Sequence, residues 1–146
     1  MPNWPPLNPV RQQETLDDIT RDVIETLPEG WIRLIVHIKK LGRHSELDSG
    51  VKMSDGTVRR WSIPTEIWNK FQDLRGGMYT PGAGTWVEVE YFLDQPGRYS
   101  VRYNSDRHPQ FKTPPRQEDY AADIAEFPRS EENIPEWLQR GLQSTE

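Results

Sequence analysis

At 146 residues, with 34% apolar residues, thirteen prolines and ten glycines, the chain has the size of one domain with many connections. Six tryptophans and five tyrosines supply large areas for burial, while the lack of cysteine excludes a disulfide frame, a thiol nucleophile and a cysteine-based metal site. No apolar run approaches the roughly 20 residues of a membrane span, and the Met1-Pro-Asn-Trp4 start has neither the basic nor the apolar region of a signal peptide, so a cytoplasmic protein of bacterial type is expected.

The net charge of −5 is unevenly spread. Residues 11–29 carry six acids and two bases (−4), residues 30–115 nine acids and thirteen bases (+4), and residues 116–146 eight acids and three bases (−5). A chain acidic at both helical ends is a poor tracker of phosphate. It is compatible with docking a basic protein, and equally with helices that simply carry solvated acidic faces.

In chain order, Met1–Asn8 reads as an extended arm that Trp4 and Leu7 can pin to the body. Asn8-Pro9 is an N-cap followed by proline at the first helical position. Leu16, Ile19, Val23 and Leu27 recur at helical spacing, with Asp17, Asp18, Asp22 and Glu25 off the stripe. Trp31–Leu41 follows as a strand apolar at both parities, suited to the centre of a sheet. Gly42–Ser49 reads as a polar loop, and Gly50–Trp61 as a short basic hairpin turning at Asp55-Gly56. Ser62-Ile-Pro64 opens a second helix with the stripe Ile67, Phe71, Leu74, stopped at Gly76-Gly77.

Thr85–Asn104 is the strongest signal. Val87, Val89, Tyr91 and Leu93 alternate with Glu88, Glu90 and Phe92, and Tyr99, Val101 and Tyr103 alternate with Ser100 and Arg102, across a Pro96-Gly97 turn. Opposed side chains share a face, so the apolar sets must oppose each other. Leu93 then pairs with Tyr99, Tyr91 with Val101 and Val89 with Tyr103, which leaves Asp94–Arg98 as a five-residue loop. Glu90 meets Arg102 on the outer face, a contact worth about 0.2–1 kcal/mol, and Gly97 is free to take φ > 0. An irregular stretch with Phe111 as anchor leads to a third helix, Gln117–Phe127. A short terminal helix follows Pro135 and carries Trp137 and Leu138. The expected fold is α+β: an antiparallel sheet of about five strands with helices packed on one face, a two-layer sandwich. It forms a single domain over residues 1–146, with an arm (1–8), an α+β core (9–112) and a C-terminal helical extension (113–146).

Chemistry is sparse. His37 sits within a strand, His44 and His108 lie in loops, and none has a second histidine at metal-ligand spacing. The glycine pairs lack the Lys-Ser/Thr of a phosphate loop. Glu88 and Glu90 share a strand face opposite Arg102, where a carboxylate pair more often sets register than performs acid–base work. No catalytic set, metal or cofactor is expected. Trp137, rimmed by Glu132, Glu136 and Arg140, has the composition of an interface anchor and equally of a residue packing the last helix onto the body.

Trp86 ahead of an acid-bearing strand, Gly97-Arg98-Tyr99 at the turn, Val101-Arg-Tyr-Asn104, Asp106 and Pro109-Gln-Phe111 together resemble the YezG-type immunity proteins of bacterial polymorphic toxin systems. The N-terminal helix, Trp31-Ile-Arg-Leu34 and Ser62-Ile-Pro64 agree with that pattern, and the resemblance spans about residues 12–112. The segment from Tyr120 through Phe127-Pro-Arg129 to Ile134-Pro-Glu-Trp137 is longer and more proline-marked than the family pattern. The resemblance implies a cytosolic antidote, monomer or homodimer, that binds a cognate toxin domain, often a nuclease, and occludes its active site. Its partner would be protein, not nucleic acid or membrane. The residues expected to dock it are Asp17, Asp18, Asp22, Glu88, Glu90, Glu118, Asp119, Glu132 and Glu136, with Trp137 as apolar anchor. The rival readings are a small-ligand or enzymatic pocket near His37, Tyr91 and Tyr103, and a structural adaptor that self-assembles.

Overall fold

The computed structural model describes residues 6–143; the expectation for Trp4 lies outside them. Helix α1 (Pro9–Thr26) starts where Asn8 accepts a hydrogen bond from the Arg11 amide at 2.9 Å and Pro9 presets the first turn. Its stripe, Leu16, Ile19 and Val23, is buried. Strand β1 (Trp31–Leu41) follows after Gly30, then β2 (His44–Met53), β3 (Val58–Arg60), α2 (Thr65–Gly77), β4 (Glu88–Asp94) and β5 (Arg98–Asn104). Helices α3 (Gln117–Glu126) and α4 (Glu136–Gln143) close the chain, with a single 3-10 turn at Glu131–Asn133 between them. The five strands form one antiparallel sheet in the order β3-β2-β1-β4-β5, so the architecture is α+β.

One face of the sheet carries Leu34, Val36 and Ile38 of β1, Val51 and Met53 of β2, and Val89, Tyr91 and Leu93 of β4, all buried. Against it pack the stripes of α1 and α2, with Ile67, Phe71 and Leu74 from α2 and the indoles of Trp61 and Trp86 completing the core. This is the two-layer arrangement. The β4–β5 register is the one that the alternation dictates, with Leu93 opposite Tyr99, Tyr91 opposite Val101 and Val89 opposite Tyr103. Two details differ. Asp94 and Arg98 also pair, leaving a shorter turn with a cis Gln95–Pro96 bond, and Gly97 keeps a negative-side φ. Glu90 stands opposite Arg102, yet no ion contact joins them among the described residues. The Arg102 guanidinium lies over the Phe92 ring instead, at 5.2 Å.

Residues 44–49 belong to strand β2, not to a loop. Leu41 pairs with His44, so Gly42-Arg43 is a two-residue hairpin turn, and Gly42 at φ +57° occupies the first central position that a II′ turn reserves for glycine. The polar residues of β2 are stable in the ladder because they sit on the outer face, His44, Glu46 and Asp48 opposite Leu41, Lys39 and His37. Leu47, Ser49, Val51 and Met53 alternate onto the inner one. Helix α2 starts at Thr65, directly after Ser62-Ile-Pro64: Pro64 is the cap, without a side-chain bond.

Helices α3 and α4 build a second apolar cluster at the end of the sheet, from Leu41, Val87, Tyr120, Trp137 and Leu138, with Phe111, Ile124, Ile134 and Leu142 at its margin. Two arginines stitch it to the first core. Arg75 of α2 donates to the Trp86 carbonyl (2.7 Å) and to Asp123 of α3 (2.7 Å), both charged side chains being 3% exposed, and its guanidinium lies 4.9 Å from the Phe127 ring. The same Asp123 oxygen accepts the Gly42 amide at 3.0 Å. Arg129 donates to the carbonyls of Thr85, Ser105 and Asn133.

Truncating Asp123 leaves the Arg75 charge buried without its counterion. Asp123→Ala is expected to lower unfolding stability by about 3–5 kcal/mol, read from urea denaturation. The double variant Arg75→Met/Asp123→Leu should recover a large part of that loss, because two apolar groups need no partners.

Candidate partner-binding surfaces

The acids singled out from the sequence divide among three places. Asp17, Asp18 and Asp22 flank the solvent side of α1 and reach in opposite directions, as their 100° spacing demands. Asp17 accepts from the Tyr99 hydroxyl of β5 at 2.8 Å. Asp18 and Asp22, one turn apart, converge on Lys70 of α2, with Asp18 also held by Arg21 at 2.9 Å. The Lys70 ammonium holds the Asp18 carboxyl below its usual range, first by hydrogen bonding and then by its charge. The three carboxylates are thus fixed in place on a rigid helix rather than left to sample rotamers.

Glu88 and Glu90 lie on the outer sheet face, far in character from a free acidic patch. Glu88 is bonded to the His37 imidazole (2.6 Å) and to the Asn104 side-chain amide (2.9 Å). Asn104 in turn holds Arg107 through both its amide and its carbonyl oxygen. From there residues 105–113 run as a strap over one half of this face. Lys39, 7% exposed although it is on the outer side, donates to the Gln110 carbonyl at 2.6 Å. Glu46 accepts the backbone amides of Lys112 (2.8 Å) and Thr113 (3.0 Å) and bonds to His44 (2.9 Å). Burial pushes the Glu46 carboxyl upward, but those amide donors and the imidazole outweigh it and hold the group at about 2.

The pocket expected near His37, Tyr91 and Tyr103 does not form. His37 pairs with Glu90 and faces outward, whereas Val36 and Tyr91 pair on the inner face. Tyr91 is fully buried against Thr20 and the Phe71 ring. A period-2 strand cannot present neighbouring ladder rungs to one cavity. Among the described residues no group of three or more histidine, aspartate or glutamate side chains is placed to hold a metal ion. None of their helices is long and apolar enough to cross a membrane.

The C-terminal residues frame an open groove of about 870 Å³ between the Pro114–Tyr120 segment and α4. Trp137 and Tyr120 form its floor, Pro114 and Pro115 one wall, and Arg116, Glu118 and Arg140 its rim. Gly141 lets α4 approach closely, since a Cβ there would stand 2.3 Å from the Tyr120 ring. Of the two roles open to Trp137, the packing role is the one that its surroundings express. It is 9% exposed, donates from its indole N–H to the Asp106 carbonyl at 2.7 Å, and stacks flat on the His108 ring at 5.1 Å. Glu118 shares the groove with it. Asp119 turns back to cap the Arg116 amide at 3.0 Å. Glu132 is exposed on the connection and Glu136 pairs with Arg140 at 3.5 Å. The structure therefore brings Glu118 and Trp137 to one groove, pairs Glu136 with its rim residue Arg140, and leaves the α1 trio and the Glu88–Glu90 pair elsewhere. Pro114-Pro115 and His108, which line this groove, carry no local sequence signature; only the packing of α4 on Tyr120 brings them together.

No family model matches the chain, and no curated protein matches it.

Because Glu46 titrates lower folded than its ordinary value of 4.5, the stability that it contributes is complete above about pH 4.5 and is lost as pH falls toward about 2. Urea unfolding of the wild type and Glu46→Gln across this range should show a stability difference that is constant above that window and shrinks steadily on acidification.

Proposed function

We propose that the chain is a binding protein of the antidote kind, which occludes the active site of a cognate basic toxin domain such as a nuclease. The observation that carries this reading is the α1 face. Asp17, Asp18 and Asp22 are held by Tyr99, Arg21 and Lys70, with Glu14 and Glu25 exposed between them. Carboxylates fixed on a rigid element bind a cationic surface without the entropy cost of ordering long side chains, and they steer its approach, which raises association rates by about 10–1000-fold at low salt. The groove beside α4 adds a place for a protruding side chain of the partner, with the Trp137 and Tyr120 rings as floor and Glu118 at the rim. The resemblance to YezG-type immunity proteins points the same way, and a cytoplasmic site of action follows from it.

Co-expression with the toxin domain encoded by the neighbouring reading frame should restore growth. Replacing Asp17, Asp18 and Asp22 together by asparagine should slow association with that domain at least about tenfold at low salt and much less at high salt, measured by stopped-flow or surface binding. Glu118→Lys at the groove rim should act on the dissociation rate. Growth that is not rescued, or association rates indifferent to both salt and these substitutions, would remove this reading.

A further inference from the structure

The charge on the sheet's outer face is opposite to that of the helices. The strap of residues 105–113 covers only the half of this face that carries Lys39, Glu46 and Glu88. The remaining half is open. Its central row runs across all five strands, from Arg60 through Gly50, Ile35 and Phe92 to Ser100. Ile35 is 40% exposed there and Val58, on the neighbouring row, 73%; the Val58 side chain lies 3.4 Å from where a Cβ on Gly50 would stand. The rows on either side bring Lys52, Arg33 and Arg98, and Arg102, to the same surface. The acids in these rows are Asp48, Glu90 and Asp94; Asp48 is already paired with Lys112 at 2.8 Å and Asp94 with Arg33 at 3.2 Å. Among the described residues Lys52, Arg60, Arg98 and Arg102 make no ion pair. Two of the guanidiniums, those of Arg33 and Arg102, are held over the Phe92 ring from its two neighbouring strands, each 5.2 Å from the centroid. That contact fixes them in place without using their N–H donors, of which, among the described residues, only the Arg33 Nε–H is turned to Asp94.

We propose that this open half-face, centred on Ile35 and Phe92 and ringed by Arg33, Arg60 and Arg102, docks an acidic protein segment that carries an apolar residue. Pre-placed guanidinium forks match carboxylates in bidentate geometry, and the exposed Ile35 and Val58 offer apolar contact to an aliphatic side chain. Single-stranded nucleic acid is the less favoured anion. Phe92 has guanidiniums on both sides where a base would have to stack, and a chain of net charge −5 repels a long phosphodiester more than it repels a short peptide. The surface is separate from α1 and from the α4 groove and selects a partner of opposite charge, so it stands or falls independently of the inhibitor reading.

The test uses the full chain and a fluorescent glutamate-rich peptide with central leucines, followed by anisotropy at about 50 and about 300 mM salt, where screening differs strongly. Saturable binding is expected that weakens several-fold with salt. It should weaken at least about tenfold in Arg60→Gln/Arg102→Gln and stay unchanged in Arg11→Gln on α1. Arg60 and Arg102 are exposed and bear no ion pair, so the double variant is expected to fold, with circular dichroism as the check. In Ile35→Ser a peptide lacking leucine should bind as to wild type while the leucine peptide loses affinity. The proposal is overturned if the peptide does not saturate, if the arginine variant binds it equally, or if labelled oligothymidylate binds as tightly or more tightly. Concentration-dependent self-association of the wild type that vanishes in the arginine variant would also overturn it, in favour of a second copy of the chain.

Discussion

The Arg75–Asp123 ion pair is the constraint on which the arrangement of the two apolar clusters depends. A guanidinium 3% exposed must have its charge and its donors answered from within. The answers come from two other parts of the chain: a carboxylate from α3 and the face of an aromatic ring at its end, and a carbonyl from the stretch before β4. Asp123 completes the junction by accepting the amide of Gly42, the turn that joins β1 to β2. Three elements distant in sequence thus meet at one charged centre, and none can shift without leaving a buried polar group unanswered. Gly42 belongs to the same junction, for a Cβ there would lie 2.2 Å from the Asp119 carbonyl oxygen.

The fold sorts charge by layer. The acids of α1 are turned to solvent on the helical side, while arginines and Lys52 collect on the bare half of the sheet. The strap divides that sheet face into a sealed, internally paired half and an open, mostly unpaired one. Lys39, Glu46, Asp48, Glu88 and His37 are all committed to bonds within the sealed half. The charge total of a segment therefore says little about what the surface offers to a partner; which side chains are already satisfied says more.

Much of the fold can be read from local pattern. The β4–β5 register follows from alternation alone, since any one-residue slip would bury Glu90 or expose Val101, and α1 is announced by Asn8-Pro9 and a four-residue apolar spacing. What escapes such reading is what distant partners stabilise. The first half of β2 looks like a loop because Ser45, Glu46, Asp48 and Ser49 are polar; it is a strand because β1 supplies the ladder and the strap answers the outward carboxylates. Arg75 and Asp123 are ordinary helix residues in sequence and lie 48 positions apart. From sequence Trp137 reads equally as an interface anchor and as a packing residue; its indole is held by Asp106 and His108, 31 and 29 positions earlier, which no local pattern shows. Of the residues expected to dock a partner, the α1 acids lie where amphipathic spacing puts them, whereas the groove exists only through tertiary contact.

The two margins of the sheet have a consequence for behaviour at high concentration. Both end strands, three-residue β3 with Arg59 and Arg60 and β5 with Arg98 and Arg102, expose cations along the backbone groups that a further strand would have to meet. Margin-to-margin approach of two molecules brings like charges together. The protein is in this way guarded against growing by strand addition, the route to fibrous deposits that open antiparallel sheets otherwise invite.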